Sequence, residues 1–299
     1  YRHRPSDALL LLTALSITNT KTISRQAATT RDYYNWLFLF GFWIAMVNRA
    51  SLFGLLGLAL WAPAVASDSP AEGTHYAQRT EYRAPRADVA PVIDGVADDA
   101  AWERAGWHAM SARWLGPEYT PDDFQGRYKV VWTEDRIYIL GEFVDDVLID
   151  THRDPLVQYW DDDCWEIFLD EDHSGGEHQF NHNAFAYHMS LDNRAIDLGT
   201  NEKPNDYSHH IDSRWRQQGD KIVWEVAIDI YADDYVDGSD SNTPVKLHAG
   251  KVMGLMLAYC DNDGSELREN FIGSEVVLSG PKDRGYIDAG LFGTLILEE

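Results

Sequence analysis

YWDDDCWEIFLDED, residues 159–172, sets a run of carboxylates between two tryptophans and then turns apolar. Its second half, CWEIFLD (164–170), reads as a strand, and side chains alternate between the two faces of a strand. Trp165, Ile167 and Leu169 therefore share a core face, while Cys164, Glu166 and Phe168 share the opposite one. If the extended chain reaches back to Trp160, then Trp160 and Asp162 lie on the Glu166 face.

Outward from this stretch, strand signals dominate. YKVVWT (128–133) and RIYILGEFV (136–144) flank Glu134-Asp135, a natural hairpin. NAFAYHMS (183–190), DKIVWEVAIDI (220–230), VMGLMLAYCD (252–261) and GTLILEE (293–299) follow, separated by clusters of Asp, Gly, Asn and Ser. No long stretch repeats apolar residues at helical spacing, which argues against βαβ units. The expectation is an all-β fold, an antiparallel, jelly-roll-like β-sandwich with one or two short helices. APVIDGVADDAAWERAGW (90–107) supplies a brief strand, a turn at Asp94-Gly95 and one such helix, with Asp98 or Asp99 at its start.

The chain of 299 residues carries 25 basic and 49 acidic residues, a net charge of −24. Nucleic acids and anionic membrane surfaces, which need Lys and Arg against phosphate, are poor partners for it. With 11 Trp and 15 Tyr, it is also rich in rings that can present flat faces to partly wet ligands. The first 66 residues differ, with six basic residues and two acidic ones. Within them, MVNRASLFGLLGLALWAPAVA (46–66) has a charged start, an apolar centre and an Ala-Val-Ala cleavage pattern, as expected of a secretory signal. Residues 1–45 are expected to be an upstream extension foreign to the native protein or disordered, and 67–83 a linker before one domain over 84–299. The expected location is therefore periplasmic or extracellular, with no membrane insertion of the mature domain. In that oxidising setting Cys164 and Cys260 face the same side by parity and are a candidate disulfide.

Four segments in order, PVIDGVADDAAW, VVWTEDRIYILGEFVDD, WDDDCWEIFLD and the terminal FGTLIL, resemble the family 9 carbohydrate-binding modules over roughly residues 85–299. The resemblance implies a β-sandwich that binds a saccharide or glycan chain end without turning it over, often beside glycan-degrading enzymes. It makes Trp160 the stacking ring, Glu166 the hydroxyl-binding carboxylate and Tyr286 the ring that closes from the loop before the last strand. Physically, an indole takes the C–H face of a pyranose while neighbouring carboxylates accept its hydroxyls. Asp162 and Asp283 are candidate acceptors. An Arg usual in the family is replaced by Ala186, and His188 on the same face is a candidate substitute donor. Polar positions of a later family strand are Met256, Ala258 and Cys260 here.

Two rival functions are a haem-binding or electron-transfer sandwich and a glycoside hydrolase. His178, His182, His188 and Met189 are the candidate haem ligands, without a C-x-x-C-H attachment site. Asp162, Glu166 and Asp283 are the candidate catalytic acids, yet no hydrolase motif accompanies them. No organic cofactor is expected. Structural calcium is compatible with DEDHSG (170–175), where Asp170, Asp172 and Ser174 repeat the start of a calcium loop, although Asn181 stands where an EF-hand has its glutamate.

Overall fold

The computed structural model describes residues 77–219 and 221–299. The expected extension, the signal peptide and the first ten residues of the expected linker lie outside the described residues. Two sheets carry the fold. In the first, the order is β10 (Pro204–Asp206), β9 (Ala195–Leu198), β8 (Phe185–Ser190), β7 (Cys164–Asp170), β13 (Val252–Asp261), β14 (Asn270–Gly273) and β4 (Ala112–Leu115). β16 (Gly293–Glu298) also pairs with β13 and carries β2 (Glu81–Pro85) in parallel on its outer edge. The second sheet runs β11 (Ile211–Gln218), β12 (Lys221–Asp229), β6 (Arg136–Asp145), β5 (Phe124–Trp132) and β3 (His108–Met110). β1 (Ala77–Gln78) and β15 (Val276–Val277) form a separate antiparallel pair.

The result is the expected β-sandwich, antiparallel apart from the β2–β16 pair. Parity explains why the sheets stack. Trp165, Ile167 and Leu169 of β7, with Leu255, Leu257 and Tyr259 of β13, pack onto Ile137, Ile139 and Phe143 of β6 and Trp224 of β12. Trp165 meets Phe143 edge-on at 5.3 Å between ring centroids. Burying such side chains is worth about 1.5–3 kcal/mol each, and this layer is the main stabilising element. The β5–β6 hairpin closes at Glu134-Asp135, with Trp132 opposite Ile137.

Some expectations change. Residues 77–83, taken as linker, hold β1 and most of β2. The brief strand near Val92 does not form, because Asp99 accepts the Val92 N–H at 2.9 Å and folds that segment back. The helix that follows is a 3-10 turn over Ala100–Arg104, anchored by Trp102, whose indole N–H donates to buried Glu225. Gly95, at φ 78°, makes the expected turn, and a Cβ there would meet Arg216 Cγ at 2.8 Å. No helix of the described residues is long and apolar enough to cross a membrane.

Candidate functional site

The reverse face of β7 is covered rather than open. Cys164, Phe168, Ala186, Met256, Ala258 and Cys260 pack beneath Ala289, Leu291 and Phe292 from the segment before β16. That cover includes 3-10 turns over Arg284–Tyr286 and Ala289–Leu291. It lies so close that a Cβ on Gly285 would approach Met256 Cε to 2.2 Å. The small side chains at 186 and 258 therefore serve packing on this face.

β7 begins at Cys164, so the extended chain does not reach Trp160. Residues 154–163 turn instead, with hydrogen bonds from Val157 N to Asp154 O and from Asp161 N to Gln158 O. The aspartates of the run hold this turn in place. Asp162 accepts from Thr151 Oγ1 and His152 N, both at 2.7 Å, and lies 3.1 Å from His152 Nδ1. Asp163 accepts from Ile149 N and Asn262 N, and burial with the charge of Asp145 pushes its carboxyl up to about 9. Asp162 is thus a brace of the loop, its acceptors used within it.

Trp160 stands at the tip of that turn, 41% exposed. Behind it comes an inward sequence of contacts. Tyr159, a residue that the sequence reading missed, meets Trp160 edge-on at 4.9 Å and His188 edge-on at 4.7 Å. His188 Nε2 lies 3.1 Å from Glu166 Oε1, and the same oxygen lies 3.3 Å from Arg268 and 3.0 Å from Cys260 Sγ. Arg268 also lies over the Phe271 ring at 3.9 Å. Burial would raise Glu166, but the His188 and Arg268 charges outweigh it and hold the carboxyl below its usual range. Burial would lower His188, and Glu166 reverses that. Glu166 is 1% exposed, so in this structure it neutralises internal charge and does not present an acceptor to the surface.

Arg268 was also missed. It brings to Glu166 the guanidinium that Ala186 lacks, from the loop after β13. The only signal in the sequence was a lone Arg within the acidic segment DNDGSELREN (261–270).

Tyr286 is 37% exposed and near enough to Tyr159 for the two phenols to interact. The structure thus brings Trp160, Tyr159, His188, Glu166 and Tyr286 into one neighbourhood. Asp283 precedes the Arg284–Tyr286 turn, half-buried, without capping it. Among the described residues the Tyr159 hydroxyl and the Trp160 indole N–H make no hydrogen bond to protein. An exposed indole face with two uncommitted polar atoms beside it can hold an amphipathic ring such as a sugar.

The other candidates have separate places. Asp170 Oδ2 accepts from Gly175 N and Asp172 Oδ1 from Ser174 N, while Ser174 Oγ donates to Asn183. These are largely turn-forming bonds, although Asp170 Oδ1 is buried without a partner. Cys164 and Cys260 are directly opposite in the β7–β13 register, yet both are free, so the expected disulfide is absent; Cys260 Sγ instead contacts Glu166 and Arg268. His178 bonds Gly285 O at 2.8 Å, His182 stacks on Phe185, and Met189 belongs to the inter-sheet core, away from His188.

A family model described as carbohydrate family 9 binding domain-like matches residues 93–299. Among solved structures, a family 9 carbohydrate-binding module from Caldicellulosiruptor kristjanssonii in complex with cellotriose is 18% identical, with a TM-score of 0.53. That comparison covers 73% of this chain and 94% of the other. The same module in complex with glucose gives the same identity and TM-score and is covered to 96%. At this identity the likeness speaks to the fold alone. No curated protein matches.

Proposed function

The chain belongs to the carbohydrate family 9 binding domain-like family, and from that premise we propose that it binds a saccharide, without catalysis, on the exposed rim formed by Trp160 and Tyr286. The observation that carries this reading is an indole left 41% exposed where most rings of the described residues are buried. The Tyr159–His188–Glu166–Arg268 sequence fixes the indole from behind, so little entropy is lost when a sugar stacks. The Tyr159 hydroxyl and the Trp160 N–H meet sugar hydroxyls, and Tyr286 limits the ligand from the facing segment. Glu166 acts through His188 and Arg268 as a positioning residue. In this reading the protein works outside the cytoplasm, where polysaccharide ends are met, as the sequence at 46–66 suggests.

Trp160→Ala tests the assignment by titration calorimetry with cellotriose. Affinity is expected to fall at least tenfold, about 1.4 kcal/mol, with stability changed by less than ~0.5 kcal/mol because the side chain is half exposed. An unchanged isotherm would discard the site. Turnover of a chromogenic glycoside that disappears in Glu166→Gln would replace the reading with a hydrolase.

A further inference from the structure

The two free thiols belong to a group of four donors on the covered face of β7. Cys164 stands directly opposite Cys260 of β13, and Glu166 directly opposite His188 of β8. The other two cross-strand partners, Ser190 opposite Cys164 and Ala258 opposite Glu166, are small. The nearest donor atoms of Cys164, Glu166 and Cys260 all lie within 4.8 Å of one another. Glu166 Oε1 is 3.0 Å from Cys260 Sγ and 3.1 Å from His188 Nε2. All four side chains are buried.

Two further contacts point to a missing partner. His188 Nδ1 lies 3.0 Å from Ala186 O. A carbonyl only accepts, so Nδ1 carries the hydrogen, which is how metal-binding imidazoles are held with Nε2 turned to the ion. Arg268 donates to Cys260 Sγ at 3.1 Å. A neutral thiol is a weak acceptor and gains little from a guanidinium, whereas a metal-bound thiolate gains much.

We propose that Cys164, Cys260, Glu166 and His188 bind a zinc ion. Sulfur, imidazole and carboxylate together suit zinc, while calcium and magnesium take oxygen alone. Neighbouring donors of a tetrahedral zinc stand about 3.4–3.8 Å apart. The two contacts of Glu166 need to open by only a few tenths of an ångström to reach that range. Binding displaces the thiol protons to solvent and leaves His188 Nε2 to coordinate as neutral imidazole. Two thiolates and a carboxylate exceed the charge of the ion by one, and the guanidinium of Arg268 makes up the difference. An ion here also holds His188 against Tyr159, behind Trp160. That last consequence rests on the rim reading; the ion site itself does not.

The purified chain, reduced with a phosphine and freed of metal with EGTA, is titrated with zinc against a chromogenic chelator and with cobalt(II) under its absorption spectrum. A single ion should bind, and cobalt should give a thiolate-to-metal charge-transfer band. Cys164→Ser and Cys260→Ser, near-isosteric changes, should each weaken zinc by more than about a hundredfold and diminish the band. Arg268→Gln, outside the coordination shell, should weaken zinc by about 10–100-fold and keep the band. A reduced parent without the band, zinc held equally by both serine variants, or an Arg268→Gln that binds like the parent would overturn the proposal. The parent spectrum decides the matter even where a variant fails to fold. Failure of the rim, an unchanged isotherm in Trp160→Ala, leaves the cobalt spectrum untouched, and failure of the ion leaves the Trp160→Ala effect untouched.

Discussion

Glu166 and Asp261 lie on neighbouring paired strands at one end of the first sheet, 1% and 2% exposed. Both arise from acidic stretches that look alike in the sequence, yet the fold treats them in opposite ways. Glu166 has a histidine, a guanidinium and a thiol around a single oxygen and stays ionised. Asp261 has carboxylates for neighbours, and burial with Asp145, Asp123 and Asp263 pushes it up to about 7. A buried acid is therefore ionised or held protonated according to where the nearest positive charge falls, and His188 with Arg268 decides it here.

The widest test of this contrast is a pair of neutralising substitutions followed by urea unfolding in EGTA. Glu166→Gln strands His188 and Arg268 as buried charge and is expected to cost about 3–5 kcal/mol. Asp261→Asn should shift the urea midpoint the other way. Two losses of equal size would erase the distinction, and a silent Glu166→Gln would mean that the paired charges contribute no stability.

The fold was legible where the physics is local. β7 and β13 have the boundaries read from their apolar runs, and the Glu134-Asp135 hairpin follows from turn residues between two alternating segments. Short strands such as β9, β10 and β14 escaped, since three or four residues carry no period long enough to recognise. The site was half legible. Trp160 and Tyr286 are both exposed, but the face of Glu166 could not be judged open, because parity names a face without saying what covers it. The cover arrives from 284–292, about 120 residues downstream, and Arg268 from about a hundred. Tyr159 could have been found as the second ring beside Trp160. Asp162, read as a ligand acceptor, is spent on Thr151 Oγ1 and the His152 N–H, and its neighbours Asp161 and Asp163 on backbone N–H groups of other loops, contacts without a sequence signature.

A smaller effect separates the two sites by pH. His188 has its folded pKa raised above 6.5 by Glu166, which outweighs burial, so its contribution is complete below 6.5 and is lost as pH climbs through the folded value. Glu166, lowered from 4.5, contributes above that value and loses its contribution as pH falls through the folded one. Asp197, buried beside them, is raised from 3.8 to about 7, so its ionisation lowers stability between those values. The unfolding free energy of the metal-free protein from urea curves should decline from pH 4 upward, since Asp145, Asp163 and Asp261 are raised in the same sense as Asp197. Asp197→Asn should flatten its share of the decline below 7, and His188→Gln its share above 6.5. A parent midpoint constant from pH 4 to 9 would contradict the paired state of Glu166.

The smallest expected difference concerns screening. Asp263 and Asp146 are exposed and Asp123 half-buried, so their mutual repulsion passes partly through solvent. The Debye length falls from about 10 Å at 0.1 M salt to 3 Å at 1 M. With EGTA present, potassium chloride over that range should therefore stabilise the parent by a few tenths of a kcal/mol more than it stabilises Asp263→Asn. The corresponding gap between the parent and Glu166→Gln should not move with salt, because the Glu166 oxygen and its partners are enclosed. General effects of salt on folding are common to all three proteins and cancel in these differences. A gap to Asp263→Asn that stays constant from 0.1 to 1 M would mean that the exposed carboxylates do not sense one another, and the contrast would then reduce to the two buried ones, Asp145 and Asp261.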